Sequence, residues 1–186
     1  AYYCAIDIHL QNQPHISYFW HNPGVGVAKV MHAKKIDSTW FYEVVDSATS
    51  VSWGTTSIRI NPVNDFPSIV YRDPSTYQLK YAYYDGNLWQ IDTVDAVGGI
   101  WTQKALDFDS IGRPYIVYNN TVAYKDSIGW HFVPLPPLNP PLVYYAPGAL
   151  RIGHDGVIHV SRLATNDDYS YREIHYIYGT PEGVEE

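Results

Sequence analysis

Four charged residues stand where charge is costly to bury: Asp7 in A-I-D-I, Arg59 in S-I-R-I, Asp107 in A-L-D-F and Arg151 in A-L-R-I. Each lies between two apolar neighbours, and the sign alternates along the chain. Two chemistries fit. Neighbouring Asp and Arg can pair across a packed interface, which relieves charges that are expensive when buried alone. Alternatively Arg59 and Arg151 can hold a ligand carboxylate through their planar donor forks.

Three further groups have reactive or binding character. His15 and His159 occupy matching places in "QPHIS" and "VIHVS", where Ser68 and Tyr115 stand elsewhere. Four different polar types at one position read as a tolerant, partly exposed strand site. A metal site would need more converging ligands, so none is expected. "DFDSIG" at 107–112 has the oxygen-rich look of a calcium loop, but Asp107 belongs to a strand and no bidentate Glu follows. It reads as a turn between strands. Trp53, Trp101 and Tyr145 each precede an equivalent apolar residue by five positions. Aromatic faces there can stack on the C–H face of a sugar, with Arg59 or Arg151 nearby for hydroxyls, or can plug the wedge between packed sheets.

The elements that position these residues are short strands. "LKYAYYDGNLWQIDTVD" alternates, turns at Asp85-Gly86 and alternates again, the pattern of a β-hairpin. The pattern recurs. Ile6, Ile58, Leu106 and Leu150 are equivalent, in steps of 52, 48 and 44 residues. Ala33, Ala82, Ala123 and Ile177 keep the same register, and Trp40, Trp89 and Trp130 follow the turns "KIDSTW", "YDGNLW" and "KDSIGW". Asp in these turns binds its own backbone, and the Trp is expected between packed sheets. Four repeats follow, about 1–48, 49–96, 97–141 and 142–186, with the fourth expected to stop after its third strand. Four antiparallel strands per repeat at this period make the fold class all-β, a β-propeller of about four four-stranded blades. The chain 1–186 is then a single propeller domain or a propeller fragment: a four-bladed ring, a ring completed by a second copy, or part of a larger ring. The proline-rich stretch 134–148 reads as a stiff connection between blades three and four.

The Asp-turn-Trp hairpins and "PHISY" resemble propeller repeats of the Asp-box and sialidase-like superfamily and the blades of propeller lectins. The resemblance implies architecture along the whole chain. For function it implies either glycan binding at blade junctions or a sialidase-like glycosidase whose catalytic residues lie in other blades. A sialidase would use three arginines on inner strands, and beside Arg59 and Arg151 no third has a repeat-aligned place.

Composition narrows the field. The net charge of −7 disfavours a nucleic-acid surface, and no apolar run reaches membrane-span length. The one cysteine, Cys4, lies in an apolar stretch and is expected as a buried thiol. No nucleophile with a base, phosphate loop or metal spacing is present, so no catalytic residue and no cofactor is expected, and the balance is against an enzyme. The leading expectation is a carbohydrate-binding propeller with ligand pockets between blades, extracellular or at a cell surface, with a glycan as partner. The alternatives are a structural or protein-interaction propeller within a larger surface protein, completed by further blades or a homo-oligomer, and the glycosidase fragment.

Overall fold

The computed structural model describes residues 2–22, 24–49, 54–96, 104–137, 144–166, 168–181 and 183–185. All regular structure among them is strand, arranged as four antiparallel four-stranded sheets of propeller type, each a simple meander in chain order. The chain divides into two compact units, 1–100 and 101–186, with two blades each.

In the first unit, blade 1 consists of β1 (Tyr2–Ile8), β2 (Pro14–Asn22), β3 (Val27–Ile36) and β4 (Thr39–Thr49). Blade 2 consists of β5 (Thr56–Ile60), β6 (Pro67–Arg72), β7 (Leu79–Tyr84) and β8 (Trp89–Asp95). Register across blade 1 runs Ile6–Ile16–Ala33–Tyr42, and across blade 2 Ile58–Ile69–Ala82–Ile91. The repeat alignment read from sequence is therefore the physical cross-strand register. Phe19, Val30 and Val45 of blade 1 pack on Ile58, Ile69, Tyr71 and Ala82 of blade 2. Each fully buried aliphatic contributes about 1.5–3 kcal/mol, so this face holds the pair together.

In the second unit, blade 3 consists of β9 (Lys104–Phe108), β10 (Pro114–Tyr118), β11 (Thr121–Lys125) and β12 (Trp130–Pro134). Blade 4 consists of β13 (Tyr144–Ile152), β14 (Ile158–Thr165), β15 (Arg172–Thr180) and β16 (Gly183–Glu185). The same rows recur as Leu106–Ile116–Ala123–Phe132 and Leu150–Val160–Ile177. Tyr115, Val117, Val122 and Leu135 pack on Leu150, Ile158, Val160 and Ile177.

Two polar contacts repeat in both units. Asp7 accepts a hydrogen bond from the Ile60 N–H (2.8 Å), and Asp107 accepts one from the Ile152 N–H (2.9 Å). Thus the inner-strand Asp of one blade secures the inner strand of the next. Arg151 approaches Asp107 at 3.7 Å from an otherwise exposed position, so the Asp–Arg pair is the weaker half of this contact. The second contact comes from the end of the second strand. The Tyr71 hydroxyl donates to Asp46 of blade 1 (2.6 Å), and the buried Arg162 donates to the Asn120 side chain and the Pro136 carbonyl of blade 3. Tyr71 and Arg162 occupy equivalent positions, and each ties its blade to the preceding one.

Four expectations need correction. Blade 4 has a short fourth strand, β16, paired to β15 through Gly179–Val184; three residues are too few to show alternation in the sequence. Cys4 is exposed, because β1 turns Asp7 toward blade 2 and so leaves Cys4, Ile6 and Ile8 on its opposite face, with both isoleucines more than half exposed. The hairpin Trp packs between sheets in blade 2, where Trp89 meets His32 of blade 1, whereas Trp40 stands exposed on blade 1. Finally, the proline-rich stretch is partly β structure: Leu135 is buried in the core and Tyr144–Ile152 is a strand with a bulge between Pro147 and Ala149, where Pro is tolerated. Residues 138–143 lie outside the described residues.

The Asp turns are as read. Asp85 accepts the Asn87 and Leu88 N–H groups, and Asp126 accepts those of Ile128 and Gly129. Asp109 likewise accepts from the N–H groups of Ile111 and Arg113, which makes "DFDSIG" a turn.

Removing the Asp7 carboxylate strands a half-buried N–H between blades. Asp7→Ala is expected to lower unfolding free energy by about 1–2 kcal/mol, and Asp107→Asn by less, since the amide oxygen still accepts. Chemical denaturation of both variants checks this, and an Asp7→Ala midpoint equal to wild type would refute it.

Candidate functional site

Because side chains alternate along a strand, His15 and Ser17 of β2, His32 of β3 and Glu43 of β4 all face blade 2. They form a polar row inside an otherwise apolar interface. His15 and His32 are 5% and 1% exposed, and Ser17 is fully buried. Ser17 donates to the Thr56 hydroxyl of blade 2 at 2.8 Å. Glu43 Oε1 lies 2.7 Å from His32 Nδ1, and His32 Nε2 lies 2.9 Å from His15 Nδ1. The result is a continuous chain, Glu43–His32–His15.

The chain ends in a cleft between the two blades, of about 150 Å³. Its walls carry His9, Gln13, His15, Lys34 and Glu43 from blade 1, and Asp65, Phe66 and Tyr84 from blade 2. Phe66 stands edge-on to Tyr84 at 5.7 Å, and Tyr84 is buttressed in turn by Trp89. Opposite them, His9 Nδ1 accepts the Gln11 N–H, which turns its Nε2 toward Asp65 at 3.9 Å. One wall is thus aromatic and the other offers donors and acceptors. A larger hollow of about 510 Å³ lies on blade 3 between the turns around Gly112 and Asp126. It is a shallow surface between turns, lined by Arg113 and Lys125, and Arg113 is already held by Asp109 at 2.5 Å.

The electrostatics of the row are set by burial and by its own bonds. Burial, and next the neighbouring His32, push the His15 imidazole down to about 4, so it is neutral at pH 7. The His32 hydrogen bond holds the Glu43 carboxyl below the usual carboxylate range, so it is ionised. Among the described residues no group of three His, Cys, Asp or Glu has the arrangement of a metal site.

The residues singled out from sequence lie elsewhere. Trp53 and Trp101 lie outside the described residues. Tyr145 is in β13, backbone-paired with Ala164, and its side chain is outside them too. Arg59 pairs across to Ser68, and its guanidinium donates to the Ile58 carbonyl. Arg151 sits mostly exposed beside Asp107. His15 was expected to be partly exposed and is instead buried, because blade 2 closes over it; His159, its equivalent, bonds the exposed Tyr176 at 2.6 Å. His32 and Glu43 carried no signal of their own in the sequence. A comparison of repeats would have found them: the positions equivalent to His15, Ser17, His32 and Glu43 in blade 3 are Tyr115, Val117, Val122 and Val133.

No protein-family model matches the chain, and no curated protein matches its sequence. Among solved structures, it is similar to a fucose lectin from Kordia zhangzhouensis in complex with methyl-fucoside, at 9% identity and a TM-score of 0.45, over 92% of this chain and 96% of that one. It is also similar to the WD40 domain of SCAP from fission yeast, at 13% identity and a TM-score of 0.42, over 95% of this chain and 41% of that one.

The lowered His15 pKa makes stability depend on pH. An unfolded His takes up a proton near 6.5 and the folded one only near 4, so this contribution is complete above pH 6.5 and is lost as pH falls from 6.5 to 4. The lowered Glu43 acts in the same direction at the acid end. Unfolding free energy is expected to fall by roughly 3 kcal/mol across that window, and His15→Asn to flatten the dependence. Denaturation at several pH values measures it; an unchanged slope in the variant would contradict the assignment.

Proposed function

We propose that this chain is a non-catalytic, lectin-like propeller that binds a carbohydrate in the cleft between blades 1 and 2. The observation that carries this reading is the contrast between the units. Unit 2 packs the same blade faces with Tyr115, Val117 and Val122 and has Val133 at the position of Glu43, so the fold does not require polar groups there. Unit 1 buries His15, Ser17 and His32 at those positions, and the row leads to a cleft. Burying polar groups without structural need is costly, and their hydrogen-bonding order points to recognition.

The chemistry of the walls supports a sugar. Tyr84 and Phe66 supply an apolar side for the C–H face of a pyranose. Gln13, His9, Lys34, Glu43 and Asp65 supply donors and acceptors for ring hydroxyls. A cleft of about 150 Å³ accepts one monosaccharide residue. A single shallow site of this kind gives dissociation constants in the millimolar range, about 4 kcal/mol, and strength then comes from multivalent display. A place outside the cell or at its surface belongs to the same reading, in keeping with the Asp-box-like hairpins.

A glycan array tests it with wild type, Tyr84→Ala, Gln13→Ala and the Trp53→Ala/Trp101→Ala double variant. Binding to one sugar class is expected, reduced more than tenfold by Tyr84→Ala and kept by the double variant. Loss in the double variant alone would move the site to the junctions that carry Trp53 and Trp101. Absence of binding by folded wild type would favour the protein-interaction propeller.

A further inference from the structure

Each blade has two unlike faces, and the cross-strand register assigns its residues to one or the other. The face turned toward the preceding blade is built in blade 2 on Ile58, Ile69 and Tyr71, and in blade 4 on Leu150, Val160 and Arg162. All six are 1% exposed or less, because the preceding blade lies on them. In blade 1 the same places hold Ile6, Ile16 and Tyr18. There Ile6 is exposed, and so are Ile8, Trp20, Tyr42 and Val44 on the same face. Monomeric proteins seldom leave a contiguous apolar face of this kind in water.

The other kind of face, turned toward a following blade, is bare in blade 4. In blade 3 it carries Tyr115 opposite Tyr124, their rings stacked at 5.5 Å, and blade 4 covers them. In blade 4 the equivalent pair is His159 and Tyr178, joined through Tyr176 into one ring stack. Tyr176 and Tyr178 are exposed, as is Ile174 beside them. The chain thus presents one bare face of each kind, and these are the two halves of the interface it builds inside each unit.

We propose that a second copy of this chain supplies the cover: blade 4 of one copy lays its Tyr176–Tyr178 face on the Ile6–Tyr42 face of blade 1 of the next. The contact continues the blade-on-blade packing from copy to copy, and it is head-to-tail because the two faces differ. It lacks one element of the internal interfaces. Arg151 stands where Asp7 and Asp107 stand, and a guanidinium cannot accept the N–H of the next inner strand. The contact is therefore weaker than those within each unit, and association is reversible and depends on concentration. Each added copy brings its own cleft between blades 1 and 2, which multiplies the sites on one particle. The assembly is independent of what that cleft binds.

Sedimentation equilibrium of the full chain over a wide concentration range tests this, in reducing buffer because Cys4 is exposed on the same face as Ile6. The average mass of wild type is expected to rise with concentration above that of one chain. Ile6→Lys and Tyr176→Lys each charge one face, and both side chains are exposed, so the core is left alone. Each variant by itself is expected to dissociate at least tenfold more readily. Mixed in equal amounts, the two are expected to associate one-to-one through the unaltered face that each retains. Ile8→Lys and Ile174→Lys repeat the test should circular dichroism show that a first variant fails to fold. Wild type that stays a single chain at every concentration overturns the proposal. So does an oligomer that only one of the two variants weakens, which is a like-on-like pairing of blade 1 or of blade 4. An oligomer that neither variant weakens, or that mixing does not restore, overturns it too.

Discussion

A four-stranded sheet of three- to eleven-residue strands has two faces and too little of its own surface to cover either. Everything else in this chain depends on that constraint. Each unit resolves it by laying one blade on another, so that Ile58, Ile69 and Ala82 cover Phe19, Val30 and Val45 in the first, and Leu150, Val160 and Ile177 cover Tyr115, Val117 and Val122 in the second. Aliphatic burial drives the association but has no direction. Direction comes from the polar contacts at the two ends of the interface: the inner Asp on the next strand's N–H, and Tyr71 or Arg162 reaching back to the preceding blade. These fix the rotation of one sheet on the other, and with it which side chains meet.

Once that rotation is fixed, the interface becomes a place where chemistry can be installed at little structural risk. Apolar residues around the His15–His32–Glu43 row keep bulk water off His15 and His32, while Glu43 at the margin remains partly exposed and ionised. A buried polar group must find a partner or destabilise the fold. Here each finds one in series: Ser17 in Thr56, His15 in His32, and His32 in Glu43. The series gives both imidazole rings hydrogen-bond partners inside the interface.

The comparison of the two units separates what the fold needs from what it carries. Asp7 and Asp107 are the same device used twice, so these two charges, which stand out in the sequence, secure the next blade in each unit. The residues with a claim to function are those that differ between units while occupying equivalent places. Charge flanked by apolar residues attracts notice in a sequence, and two histidines and a glutamate at scattered positions do not, although only the latter converge.

The sequence by itself determined the strands, their turns and their cross-strand register. These are local: alternation specifies which residues share a face, Asp and Gly specify the hairpin turns, and the repeated spacing aligns Ile6, Ile58, Leu106 and Leu150. It did not reveal β16, which is too short to show a period, nor the exposure of Cys4, which depends on which face of blade 1 meets blade 2. The cleft was decided by tertiary structure alone. His15, His32 and Glu43 are 17 and 11 residues apart, and Asp65, Phe66 and Tyr84 come from another blade. Alternation says that a side chain faces inward, but only the packing of blade 2 on blade 1 says what it faces, because that is set by contacts between residues distant in the chain.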